Sequence, residues 1–428
     1  MPAKPGDRVK VIASDEIREG ILMPNQETDS VVIKLDNGYN IGIGSKKVKE
    51  IKVLEPYKSK DVQIKKELKK DSKKPTIAIL HTGGTIASKV DYKTGGVVAS
   101  FSDQDLILMF PEIKDIANIK TALVSNMMSE DMLFSHYKLL AKAVEKEIKN
   151  SVDGIIIGHG TDTLAVTSAA LAFMLENLPI PVILVGSQRS TDRGSTDAAA
   201  NLICAAEFIS KTDFVGVAIC MHESTSDNNC LILPACKTKK MHTSRRDAFK
   251  PINDKAIARV DYDTRKMEFL KNDYPRKNDK KLAIRDKFEE KVAVIRTYNS
   301  MASDFFDVLT EKKYKGLVLE GSGIGHAPTN TEENLPNYKS LKKLVDSGCV
   351  VVLTSQCIFG RVHQDIYTNT RRLKEIGILS GEDMLTETAF IKLAWLLGNY
   401  KKEEAKSLIT KNLRGEINER LSEDEFLG

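Results

Sequence analysis

Two short runs in this 428-residue chain place hydroxyl groups among glycines directly after an apolar stretch. Thr82-Gly83-Gly84-Thr85 follows the TIAIL segment, and His159-Gly160-Thr161-Asp162-Thr163 follows GIIIG. Glycine lets the backbone approach a ligand closely, and a threonine hydroxyl becomes a nucleophile once a base takes its proton. Either run alone fits an ordinary strand-to-helix turn with a capping residue. Their recurrence at matching places in successive β–α units favours chemistry, namely attack on an acyl carbon with turn N–H groups facing the developing oxyanion.

Nucleotide chemistry fits less well. Gly83 to Val90 resembles a phosphate loop, but Ser88 stands where the second glycine belongs and Val90 where the metal-binding hydroxyl belongs. The run Gly321-Ser322-Gly323-Ile324-Gly325-His326 after GLVLE is a partial dinucleotide fingerprint with His326 in place of its last glycine. No nucleotide site is expected on this chain.

The elements that must position these loops divide the chain. Residues 7–54 read as five short strands, with Asp36-Asn37-Gly38 as a tight hairpin turn, and suggest an SH3-like barrel. A lysine-rich stretch from Pro56 to Pro75 has a helical middle and reads as a linker. From Thr76 onward, apolar runs of about five residues precede Gly/Ser/Thr loops and apolar helical segments, as expected of parallel strands covered on both faces. A second α/β unit runs from VAVIRTY through GLVLEGSG and VVVLTSQ to TETAFIKLAWLLG, and residues 271–290 connect the two. The expected divisions are 1–55, a small β-barrel; 56–75, a basic linker; 76–282, an N-terminal α/β domain with the active site; and 283–428, a C-terminal α/β domain.

Hydrophobic residues make up 41% of the chain and charged residues 29%, which is ordinary globular composition. The net charge of +5 is matched by the excess of eight Lys over three acids within 56–75, so no broad basic nucleic-acid face is indicated elsewhere. None of the six cysteines is spaced as CxxC, which argues against a structural zinc site and for reduced, mostly buried thiols. Without an apolar run of membrane-spanning length or a signal-like start, a cytoplasmic protein is expected.

HTGGTIAS and GHGTDTLAVTSAAL resemble the two threonine signatures of the L-asparaginase/glutaminase family, and PVILVGSQRSTDRGSTDAAANL resembles the segment that follows them. This resemblance spans about residues 76–425 and implies a two-domain asparaginase-like α/β fold with a parallel sheet. It implies Thr85 as the first catalytic threonine, with Thr161, Asp162 and a lysine as the second group. In KKMHTSRRDAF the family's lysine aligns with Lys240, Lys239 being the alternative. A lysine base needs burial or neighbouring cations to favour its neutral form. Which threonine attacks is open, with Thr85 favoured. The resemblance further implies Ser129 and Glu130 as contacts to the substrate's α-groups, Gly84 and Gly160 as backbone donors, and Tyr92 as a lid residue, for which an ordinary turn tyrosine is the alternative.

The preceding barrel and linker, with KMHTSRRDAF, resemble the D-subunit family of archaeal glutamyl-tRNA(Gln) amidotransferases over nearly the whole chain. That implies hydrolysis of glutamine via a threonyl acyl-enzyme to supply ammonia for conversion of Glu-tRNA(Gln) to Gln-tRNA(Gln). It implies no cofactor on this chain, ATP and Mg2+ on a partner, which is the amidotransferase's E subunit, and a homodimer within a heterotetramer. The alternative is a free-standing L-asparaginase with an accessory barrel.

Overall fold

In the computed structural model, the described residues are 3–23, 29–35, 40–56, 71–83, 88–90, 97–99, 110–189, 196–277, 280–423 and 426. The Asp36-Asn37-Gly38 turn, the helical middle of the basic stretch, Gly84, Thr85 and Tyr92 lie outside them.

The first five strands, Arg8–Ala13, Ile17–Leu22, Ser30–Lys34, Asn40–Gly44 and Val48–Glu55, form one antiparallel sheet with the first strand between the second and the fifth. Alternation along the first strand buries Val9, Val11 and Ala13 on one side, where they meet Ile33 and Ile43 in a small closed core. Register shifts at both ends of the Arg8–Ala13 pairing with Val48–Glu55 increase the local twist, as a small barrel-like sheet requires.

The large sheet has eight strands. Asn118–Leu123, Thr76–His81, Gly154–Gly158, Pro181–Val185 and Gly216–His222 are neighbours in that order and all parallel. The apolar runs of the four inner strands follow from two-sided burial, whereas Asn118–Leu123 is a partly exposed edge strand. Ile77 and Ile79 face the helix Ala198–Lys211, whereas Ala78 and Leu80 face the helices Phe134–Lys149 and Leu164–Met174. Asn229–Pro234, Ala258–Asp261 and Met267–Phe269 extend the sheet antiparallel. The expected parallel sheet is thus mixed, because Asn229–Pro234 and Met267–Phe269 follow short turns and the segment between Pro234 and Ala258 folds as the ribbon Thr238–Lys240 with Phe249–Pro251, with no crossover helix.

Strands Val292–Arg296, Gly316–Gly321, Val350–Ser355 and Leu379–Ser380 make a second, wholly parallel sheet. Its helix Thr386–Asn399 packs on Leu164–Met174, so one hydrophobic core runs through both α/β units. Trp395 sits in that seam with its ring centroid 5.4 Å from that of Phe173, and its Nε1 donates to the Arg285 carbonyl at 3.0 Å. The 271–290 connector contributes more than a tether: Ala283–Ile284 pairs with Leu175–Glu176. All six cysteines are free, and only Cys357 is exposed. Among the described residues, no helix is long and apolar enough to cross a membrane.

Candidate active site

Ligands of open α/β sheets bind beyond the carboxyl ends of the strands. Two adjacent parallel strands, Thr76–His81 and Gly154–Gly158, deliver the two threonine loops to that edge side by side. Thr82 is pinned there, since both its N–H and its Oγ1 donate to the Gly158 carbonyl at 3.1 Å. Gly83 adopts φ +99°, and a Cβ on it would lie 2.7 Å from the backbone N and O of Met127. Only glycine meets both demands without displacing the neighbouring loop. Gly84 and Thr85 follow directly in the sequence.

In the second loop, His159 is completely buried and its ring nitrogens meet the Gly160 carbonyl, the Thr167 hydroxyl and Met132 Sδ, the last 3.1 Å from Nε2. Nδ1 lies 2.7 Å from the Gly160 carbonyl, so it carries the proton and donates. Nε2 then accepts from the Thr167 hydroxyl at 2.9 Å. Burial pulls this imidazole down to about 4, against the pull of the Gly160 carbonyl toward the protonated form. His159 is therefore a neutral strut at neutral pH, and it fixes the peptide that leads into Thr161.

Beyond that strut, Lys240 Nζ donates to Thr161 Oγ1 at 2.9 Å and to Asp162 Oδ1 at 2.7 Å. The lysine side chain is 15% exposed and the aspartate 66%. An amine, an alcohol and a carboxylate thus share one hydrogen-bonded cluster at the mouth of the strands. Lys240 comes from a two-stranded ribbon, Thr238–Lys240 against Phe249–Pro251, that belongs to neither large sheet. Lys239, its alternative in the sequence, points elsewhere and pairs with Glu387.

The third wall is the 3-10 turn Ser129–Asp131. Thr163 Oγ1 donates to the Ser129 carbonyl at 2.7 Å, and Gly160 packs so closely that a Cβ on it would lie 2.7 Å from Ser129 Cβ. Ser129 is buried and Glu130 exposed beside it. The structure thus gathers Thr161, Asp162, Lys240, Gly160, Ser129 and Glu130 around one strand edge.

Sequence reasoning passes over the role of Asp197. This carboxylate is fully buried and accepts from Ser187 Oγ at 2.8 Å, from the Gln188 N–H at 3.0 Å and from the Arg189 N–H at 2.9 Å. It ties the Ser187–Arg189 turn to the helix Ala198–Lys211 beside Gly186, which itself packs on Thr161 Cγ2. An acid immediately before an alanine-rich helix reads as an N-cap, and only the fold shows that it turns back to the preceding loop.

Three families match in succession: the GatD N-terminal domain over residues 3–54, Asparaginase, N-terminal over 76–274, and the Glutaminase/Asparaginase C-terminal domain over 291–408. The D subunit of the Pyrococcus furiosus glutamyl-tRNA(Gln) amidotransferase is 46% identical over 99% of this chain and 97% of its own. The D subunit of the Methanococcus maripaludis enzyme is 43% identical over 97% and 99%. Among solved structures, the thermostable L-asparaginase from Thermococcus kodakarensis superposes with a TM-score of 0.72 at 30% identity, covering 81% of this chain and all of that one. L-asparaginase I from Vibrio cholerae gives 0.71 at 28% identity, over 81% and 99%. With near-complete mutual coverage of the first group and only the α/β part shared with the second, the chain belongs to the D-subunit family of glutamyl-tRNA(Gln) amidotransferases, built on the asparaginase fold.

Proposed function

We infer that this chain is the glutaminase subunit of a tRNA-dependent amidotransferase, releasing the ammonia that converts Glu-tRNA(Gln) to Gln-tRNA(Gln). The observation that carries the chemistry is the contact of one lysine amine with both the Thr161 hydroxyl and the Asp162 carboxylate. The full-length likeness to D-subunit proteins supports the biological setting.

In this reading Thr85 Oγ attacks the side-chain carbonyl carbon of glutamine. Its proton passes to the Thr161–Lys240 pair, and Asp162 holds the amine in line. Backbone N–H groups of the Gly84 and Gly160 turns face the oxyanion. Collapse of the tetrahedral species breaks the C–N bond, and the nitrogen leaves as ammonia with the transferred proton. Water then cleaves the glutamyl ester, releasing glutamate and restoring the Thr85 hydroxyl. Ser129 and Glu130 hold the α-carboxylate and α-ammonium, and Tyr92 covers the bound substrate.

The partner in this account is the amidotransferase's E subunit, which binds ATP and Mg2+, phosphorylates the glutamyl group of Glu-tRNA(Gln) and takes up the ammonia. This chain needs no cofactor of its own, works in the cytoplasm and pairs with a second copy within a heterotetramer. Support for that pairing comes from an exposed apolar face on the edge of the second sheet, where Val294, Tyr298, Phe305 and Val308 are all about half exposed.

The test is amide hydrolysis measured with glutamine and with asparagine, with and without the partner, Glu-tRNA(Gln) and ATP. A large tRNA-dependent rise in glutamine hydrolysis is the expected result. Fast asparagine turnover by the isolated chain, indifferent to tRNA, contradicts it and favours a free-standing asparaginase.

A further inference from the structure

Three lysines fall within four residues, Lys237, Lys239 and Lys240, and the fold sends them in two directions. Side chains of an extended strand alternate between faces, so 237 and 239 share one face and 240 takes the other. Lys240 reaches Thr161 and Asp162 in the N-terminal α/β unit. Lys237 and Lys239 reach the opposite way, to Asp383 and Glu387 of the second unit.

A lone two-stranded ribbon is marginally stable in water. This one is held by its base. Lys237 and Asp383 are both completely inaccessible to solvent. Asp383 Oδ1 also accepts from the Asn418 N–H at 3.0 Å, and the Asn253 side chain, just after the return strand, exchanges hydrogen bonds with the Gly360 backbone at 2.9 Å in each direction. Thr388 Oγ1 donates to the Cys236 carbonyl at 2.9 Å. Burial lowers the Lys237 ammonium from its usual range, and the Asp383 carboxylate opposes that shift. A buried ion pair is a weak source of stability, because its desolvation offsets much of its attraction. What it supplies here is direction: a charged pair tolerates one geometry, whereas apolar side chains slide.

We propose that Asp383, through Lys237, and Glu387, through Lys239, are positioning residues that fix the ribbon register and so set where Lys240 reaches. The second α/β unit thereby acts on the chemistry without touching the substrate. Only the kinetic consequence rests on the glutaminase reading; the placement of Lys240 does not.

The test uses the full chain with its partner and pairs two readouts. The double variant Lys237→Met with Asp383→Asn removes both buried charges and keeps an oxygen for the Asn418 N–H. Glu387→Gln neutralises the second anchor and leaves the buried Lys237–Asp383 pair untouched. Trace labelling of lysine amines, read by mass spectrometry without substrate, is expected to modify Lys240 about fivefold faster in the double variant and about twofold faster in Glu387→Gln, as its contacts loosen. Glutamine kcat is expected to fall about tenfold in the double variant with KM within about twofold, the signature of a misplaced catalytic group. Wild-type labelling of Lys240 in whichever of the two variants folds overturns the proposal. Absence of glutamine hydrolysis by the wild type contradicts the assigned reaction instead, and the labelling result still decides the positioning claim.

Discussion

Lys240 and His159 lie on either side of Thr161, and they make opposite demands on solvent. The lysine keeps an edge toward solvent, whereas the imidazole is sealed and stays neutral. Its folded-state value of about 4 lies below the ordinary 6.5. Between those two values the unfolded chain binds more protons, so stability present above about pH 6.5 drains away as the pH falls toward 4. The full effect is about 3 kcal/mol. A pH series of thermal midpoints should show this loss for the wild type and a shallower one for His159→Gln; equal slopes would falsify the strut. Lys240 is legible in the sequence only through the family motif, since a lysine among Lys237, Lys239, Arg245 and Arg246 otherwise reads as surface charge. The buried fate of Lys237 is not legible at all, because its partner is 146 residues away and no local pattern announces it.

At the scale of elements, the site depends on close approach between loops. Gly160→Ala inserts a methyl 2.7 Å from Ser129 Cβ and must push the Ser129–Asp131 turn outward. Displacement of a substrate-holding group by about 1 Å can cost roughly 10²-fold in kcat/KM. We therefore expect glutamine kcat/KM to drop by about that factor while the thermal midpoint moves little, and steady-state kinetics beside calorimetry will show it. Strands are the most readable elements. TIAIL, GIIIG and PVILV are short apolar runs with helices on both faces, and the structure builds strands there. The antiparallel extension is not readable, because NCLILP and ARVD are equally compatible with a parallel position until their connections are known. The helical pattern of LAVTSAALAFMLENL continues past Met174, where the chain instead pairs Leu175–Glu176 with Ala283–Ile284.

For the whole molecule, the two α/β units are one folding body with a shared interior, whereas the N-terminal sheet has its own core. Trp395→Ala empties the seam against Phe173 and should cost about 3–5 kcal/mol. In denaturant titration both α/β units are expected to unfold in one transition that shifts as a unit; separate transitions for these two units would contradict a shared core. With the small sheet as the surface that docks the partner, deleting residues 1–55 should abolish co-purification with the partner and with it the tRNA-dependent rise in glutamine hydrolysis, leaving only the basal rate of the α/β units. The reaction itself rests on the amine at 240, and its most direct test is the glutamine turnover number of Lys240→Met in the full complex. With the fold intact by thermal midpoint, kcat should fall by at least about 10³-fold, within the range ascribed to a positioned acid–base group. A variant that still turns over glutamine within about threefold of the wild type would contradict the account at its centre.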